Sequence, residues 1–168
     1  VRAEVKLVGQ GASAQQTALY FADSTQMHDF RTLQTHEAPR THSDLLFKGA
    51  VKDTAKSVYT GLIKITENAT KSEAFQTNRN LTLSHGAWAE SVPNLEIETN
   101  DVKCSHASTV GPIDDDQRFY LESRGIPTDV AERLVVFGFF DEVLERIPAS
   151  SFTAELRAKV AAKLGRTV

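Results

Sequence analysis

The sequence predicts a mainly β protein, with an all-β region to about residue 113 and a helical segment from there to residue 168. Three observations carry this. Of the 16 threonines, 13 precede residue 113, and threonine suits the pleated, half-buried surface of a strand. Alternation with a period of two recurs, as in Leu95-Glu96-Ile97-Glu98 and in Val58-Tyr59-Thr60-Gly61-Leu62-Ile63-Lys64-Ile65, which places apolar residues on one face. Beyond Asp114 the apolar residues change to helical spacing.

Short β-favouring runs fall at residues 5–8, 18–22, 27–35, 45–51, 58–65, 80–83, 95–99 and 102–109. Turn signals separate them: Gly9-Gln10-Gly11, Asp53, Glu67-Asn68, His85-Gly86 and Pro93-Asn94. The hairpin dipeptides Asn-Gly and Asp-Gly are absent from the sequence, which argues against a tight antiparallel meander. Sandwich, barrel and β-solenoid all stay open. Alanine, serine and threonine scattered among the apolar positions suit narrow stacked coils, and periods of about 20–30 residues can be traced weakly. Both tilt the choice toward a solenoid over a sandwich.

The helical segment opens at Asp114, Asp115 and Asp116, which can cap a helix running to about residue 124 and ended by Gly125. Ile126-Pro127-Thr128-Asp129 stops and restarts the chain, with Asp129 and Glu132 spaced as a capping pair. The second helix then extends to about Ile147, before Pro148. Val130, Leu134, Phe137, Phe140, Leu144 and Ile147 form its apolar stripe, but residues 134–140 are apolar nearly all round. Val135, Val136 and Phe139 thus exceed what one packing face needs. A third helix is expected over 153–164, ended by Gly165.

A chain of 168 residues accommodates one domain with a real core, or a domain plus a small appendage. The formal net charge of −3 argues against a dedicated nucleic-acid binder. Residues 150–168 carry Arg157, Lys159, Lys163 and Arg166 against Glu155, read as the solvated face of a terminal helix. No run of about 18 apolar residues occurs, and no charged-then-apolar signal segment opens the sequence. A single cysteine excludes an internal disulfide framework and fits a reducing cytoplasm.

That cysteine carries the most chemical information. In Asp101 to Gly111, read DVKCSHASTVG, Cys104 lies two residues from His106. On a strand both would project to the same face, pairing a soft thiolate with an imidazole, a donor set suited to iron, zinc or copper. Two ligands do not complete a metal site, so another segment or chain must supply the rest. A core cysteine beside a surface histidine is the plain alternative. His28, His36 and His42 could cluster across stacked coils. Ser84-His85 alternate across a strand and lack a nucleophile elbow, which argues against Ser-His-Asp catalysis. No G-x-x-x-x-G-K-[ST] loop is present, so the chain has no ATP site of its own.

The motifs RNLTLS, DVKCSHASTVG and DQRFYLESRGI, with the following helix in one order and spacing, resemble the C-terminal part of the SufB/SufD family. These are the scaffold proteins of the SUF iron–sulfur cluster assembly machine. The details are similar to SufD: a SufB-like chain would carry cysteine where Ser84 stands and glutamate where Ala107 stands. The resemblance implies a right-handed parallel β-helix (solenoid), its last coils formed by residues 1–113, followed by a small helical domain over 114–168. It also implies that the sequence is the C-terminal fragment of a longer protein. By the same resemblance the chain pairs with SufB and holds the ATPase SufC on its helical domain, with Val135, Val136 and Phe139 as a candidate SufC surface; a homodimer is also open. His106, with Cys104 beside it, is the candidate cluster or metal site, holding a transient iron–sulfur cluster or iron at the interface with SufB. His106 is expected on the outer face near the C-terminal end of the β-helix. The expected role is a cytoplasmic, non-enzymatic scaffold; a β-helical metal-dependent enzyme with Cys104 and His106 as ligands is the alternative.

Overall fold

Eight strands alternate between two parallel sheets. In the computed structural model, which describes residues 1–147 and 150–165, β1 (Arg2–Leu7), β3 (Met27–His36), β5 (Lys56–Ile65) and β7 (Trp88–Ile97) form one sheet in that order. The other sheet holds β2 (Ser13–Ala22), β4 (His42–Val51), β6 (Ser72–Thr82) and β8 (Val102–Gly111). Every second strand pairs in parallel with its neighbour, Arg2 opposite Arg31 and Lys56 opposite Trp88. The chain therefore winds as a β-solenoid of about four coils, and the sandwich and barrel alternatives fall away.

Left-handed residues make the corners. Ser24 and Asp53 (φ 56° and 61°) stack at one corner, Arg40 and Lys71 (57° and 58°) at another. Successive corners are tied together, as where the Asp53 carboxylate accepts from the Ser24 N–H at 2.8 Å and the Asp53 N–H donates to Ser84 Oγ at 3.0 Å. The core lies between the sheets. On β5 the inward row is Ser57, Tyr59, Gly61, Ile63 and Ile65; on β6 it is Ser72, Ala74, Gln76, Asn78 and Asn80.

Most strands begin earlier than the β-favouring runs. Residues 13–17 and 72–79 are strand although no β-favouring run covers Gln16, Gln76 and Asn78, because in-register stacking holds these polar side chains on inward rows. Pro93-Asn94 is not a turn either. It lies inside β7, an outermost strand of its sheet, where a missing N–H is tolerated.

Three helices follow: α1 (Asp115–Glu122), α2 (Thr128–Arg146) and α3 (Ser150–Leu164). Asp114 caps α1 as expected, its carboxylate accepting from the N–H groups of Asp116 and Gln117, and Gly125 takes a φ of +80° beyond it. The Asp129–Glu132 capping pair does not form. Pro127 is the N-cap of α2 without a side-chain bond, Asp129 pairs with Arg133, and Glu132 meets Arg118. Helix α3 starts before residue 153; Pro148 and Arg166 lie outside the described residues.

The α2 stripe is rotated from the expected one. Ala131, Val136, Phe140, Val143 and Leu144 are buried, whereas Val130 and Leu134 are exposed. Val136, Phe140 and Val160 of α3 close on Phe21 and Ala50, outward-facing residues of β2 and β4. Polar contacts fix the same seam. The buried Lys48 donates to the Phe139 carbonyl at 2.9 Å, pairs with Glu142 at 2.5 Å and lies over the Phe139 ring. Arg146 meets Asp44 at 2.6 Å and Lys163 meets Asp23 at 2.9 Å. The basic residues of α3 are thus partly tied down rather than a free solvated face, with Arg157 also held by Asp141. No helix among the described residues is long and apolar enough to cross a membrane.

Candidate functional site at the open coil

The last coil has no coil stacked on it among the described residues, so its inward row is exposed. Leu95, Ile97 and Val110 are 37%, 43% and 43% accessible, although they continue rows that are buried one coil below. On β8 the register sets Cys104 opposite Ala74 and His106 opposite Gln76. Ala74 and Gln76 both face inward, so Cys104 and His106 share a face, as the i, i+2 spacing requires, and it is the inward one. The outer-face expectation for His106 is therefore corrected. The alternate residue Lys103 takes the outer face, bonded to Glu73 at 2.8 Å. His106 is nonetheless exposed, because the coil end is open.

The pair divides by environment. Cys104 is half-buried and packs on Ile63, Ile65, Ala69 and Ala74. Burial pushes its thiol above the ordinary value, which disfavours the thiolate, and a cation such as a metal ion beside it would offset that. His106 stands further out on the same row. Among the described residues no three His, Cys, Asp or Glu side chains converge as a metal site. Cys104 and His106 can supply two donors of a tetrahedral set, with the remaining ligands coming from elsewhere.

The other histidines do not join them. His36 is fully buried between Thr41 Oγ1 (2.7 Å from Nδ1) and Ser43 Oγ (2.8 Å from Nε2). Desolvation, aided by the nearby His42, pulls its pKa down to about 4. His42 faces outward, 3.8 Å from Glu73. His28 packs against Tyr20 and Phe30. Ser84 is spent at the Asp53 corner.

The candidate partner residues on α2 also separate. Val136 is 1% exposed inside the cluster that joins the helices to the sheet, so it presents no surface to a partner. Phe139 is partly buried against the same cluster under Lys48. Val135 stays at a surface, where with Tyr120, Leu121 and Leu134 it lines an apolar groove between α1 and α2, edged by Asp116 and Gln117. Phe119 and Tyr120 are 68% and 56% exposed, and sequence reasoning missed them. Their adjacency straight after the polar run DDQR that opens α1 was the available signal.

Residues 1–139 match the family model described as SUF system FeS cluster assembly, SufBD core domain. An iron–sulfur cluster assembly SufBD family protein of Mycobacterium tuberculosis is 45% identical over 166 residues, covering 94% of this chain and 42% of that protein. The iron–sulfur cluster assembly protein SufD of Escherichia coli is 33% identical over 159 residues, covering 95% and 38%. SufD of Bacillus subtilis is 34% identical over 158 residues, covering 94% and 36%. The chain spans about two-fifths of the length of these relatives. With the solenoid, the trailing helices and the match over residues 1–139, the chain belongs to the SufB/SufD family of SUF iron–sulfur cluster assembly proteins.

Proposed function

We propose that this chain serves as a SufD-like, non-enzymatic scaffold within a SUF complex, sharing a transient iron or iron–sulfur site through His106, with Cys104 beside it. The observation that carries this reading is the placement of that pair on the inward row of an open, apolar-rimmed coil. A solenoid end with unpaired strands and exposed Leu95, Ile97 and Val110 suits pairing with a second solenoid end, here that of SufB. Ligands from both chains would then meet at the seam. A site assembled between two chains can open when they move, which suits cargo that must be released. A reducing cytoplasm would keep Cys104 a free thiol.

The helices after Asp114 are the proposed seat of the ATPase SufC. The groove of Tyr120, Leu121, Leu134 and Val135 supports this better than Val136 or Phe139, because its side chains reach solvent. The contacts of Lys48, Arg146 and Lys163 with the sheet would let movement of a bound ATPase reach the solenoid as a rigid-body displacement.

His106→Ala in the full-length protein, assembled with its partners, tests the reading. Cluster formation, followed by visible absorbance and by iron and sulfide content, should be lost. Size-exclusion chromatography should find the complex intact, because an exposed side chain contributes little to packing. Normal cluster formation by the variant would overturn the shared-site mechanism.

A further inference from the structure

The register column that ends in His106 contains Gln16, Leu45 and Gln76 in the three coils beneath it. Gln76 is 1% exposed, and neither its carboxamide oxygen nor its nitrogen has a hydrogen-bond partner. Leaving a buried polar group unpaired costs about 1–3 kcal/mol, and native cores keep few of them. Leu45 fills the same column one coil lower without that cost. A purely structural Gln76 is therefore hard to account for.

The surroundings hold its amide at a defined height. The side chain crosses the core toward Gly61 of β5, where a Cβ would come within 2.3 Å of Gln76 Nε2 and 2.5 Å of Tyr59 Oη. The glycine is the room the amide needs. Tyr59 is itself fixed, its hydroxyl 2.8 Å from Thr32 Oγ1. Adjacent strands lie about 4.8 Å apart, so Gln76 lies one strand below His106, and the two side chains share the inward face of the sheet. Across the coil end Gly61 is followed by Pro93, which has no N–H to offer. Two other inward glutamines carry unpartnered amide atoms: Gln34 is on the opposite sheet in the column of Ile63 and Leu95, and Gln16, whose Oε1 is unpartnered, lies in the His106 column but three coils below it, so only Gln76 is next to His106.

We propose that Gln76 is a positioning residue for His106. When the imidazole turns toward the core end, one ring N–H donates to Gln76 Oε1. The neutral ring is then held in a single tautomer, and the lone pair of its other nitrogen faces the coil end to meet a metal ion. Histidine ligands commonly depend on such a partner, and its loss weakens metal affinity about 10–100-fold. This inference rests on the reading of His106 as a ligand.

Gln76→Leu in the full-length protein, labelled with ¹⁵N-histidine, provides the test. The ring-nitrogen shifts of His106 should change from one dominant tautomer in the parent to a mixture in the variant. Affinity for Zn²⁺, used as the probe ion, should fall about 10–100-fold. The thermal midpoint should change little, because the bond to His106 is lost while the buried, unpartnered amide nitrogen is removed with it. Gln76→Met, whose thioether is only a weak acceptor, should behave alike and serves if leucine does not fit; Gln76→Glu keeps a strong acceptor and should restore the single tautomer. An unchanged tautomer ratio with unchanged zinc affinity, or a fall in stability without either change, overturns the role of Gln76. Normal cluster assembly by His106→Ala would instead sink the ligand reading beneath it, so the two failures are distinguishable.

Discussion

Two successive coils use the same inward rows to opposite ends. On β5, Ile63 and Ile65 are wholly buried, whereas their register partners on β7, Leu95 and Ile97, reach solvent. On the other sheet Ala74 and Gln76 are sealed in, whereas Cys104 is half-buried and His106 exposed. Strand pairing and alternation are shared between the coils. What differs is the number of neighbours, since an inner coil is covered on both sides and the last one on one side only. In a solenoid, core and exposed end surface are thus the same row read at different positions.

The sharpest way to break this comparison is a matched truncation. Ile65→Ala should open a cavity and cost about 2–5 kcal/mol of stability. Ile97→Ala, its register partner, should cost about 0.5 kcal/mol or less in the free protein, as surface substitutions usually do, while weakening association with the partner solenoid. Denaturant melts of the full-length variants would measure the first effect and titration against the partner the second. Equal losses of stability would mean that the last coil is closed in the free protein, and the contrast would fail.

That contrast also marks what was legible in the sequence. The number of strands, the change to helices after Asp114 and the common face of Cys104 and His106 follow from period and spacing. The strand starts did not, because a solenoid can bury Gln76 and Asn78 on an inward row where no β-favouring run announces a strand. Pro93 was misread because edge placement is a property of the sheet, not of the dipeptide. The inward direction of His106 follows only from its register with Gln76, and no local pattern encodes register. The burial of Val136 was hidden for a similar reason. A helix that is apolar all round does not declare which side meets Phe21 and Ala50.

A smaller effect concerns a histidine that the closed coils do cover. His36 is neutral in the folded protein, with both ring nitrogens engaged by hydroxyls and its pKa lowered to about 4. The unfolded chain takes up a proton near pH 6.5, so it binds more protons than the native state between these values. Stability should therefore be full above about pH 6.5 and fall progressively as the pH approaches 4. Denaturant midpoints at pH 7 and pH 5 should show this drop, before most carboxylates titrate. His36→Gln should flatten it. A midpoint independent of pH over that interval would mean that the folded protein accommodates a charged His36, contrary to the sealed interior assigned to that coil.

Cys104 lies between the two regimes, and the smallest effect belongs to it. Its sulfur packs on Ile63, Ile65 and Ala74 from the closed coil, while its strand belongs to the open one. Cys104→Ser places a hydroxyl against that apolar cluster, a loss of about 1 kcal/mol at a half-buried position. Cluster formation in the assembled complex should slow without stopping, because His106 remains in place and the raised thiol pKa makes Cys104 the more reluctant donor. The slowing should ease as pH falls, since the parent thiol is then also less able to ionise. Cys104→Ala separates packing from ligation, because it removes the sulfur without adding a hydroxyl. If Cys104→Ala matched the parent protein in cluster formation at every pH, the thiol would belong wholly to the closed core. If either variant were as defective as His106→Ala, Cys104 would be an equal ligand, and the division of labour along the row would be wrong.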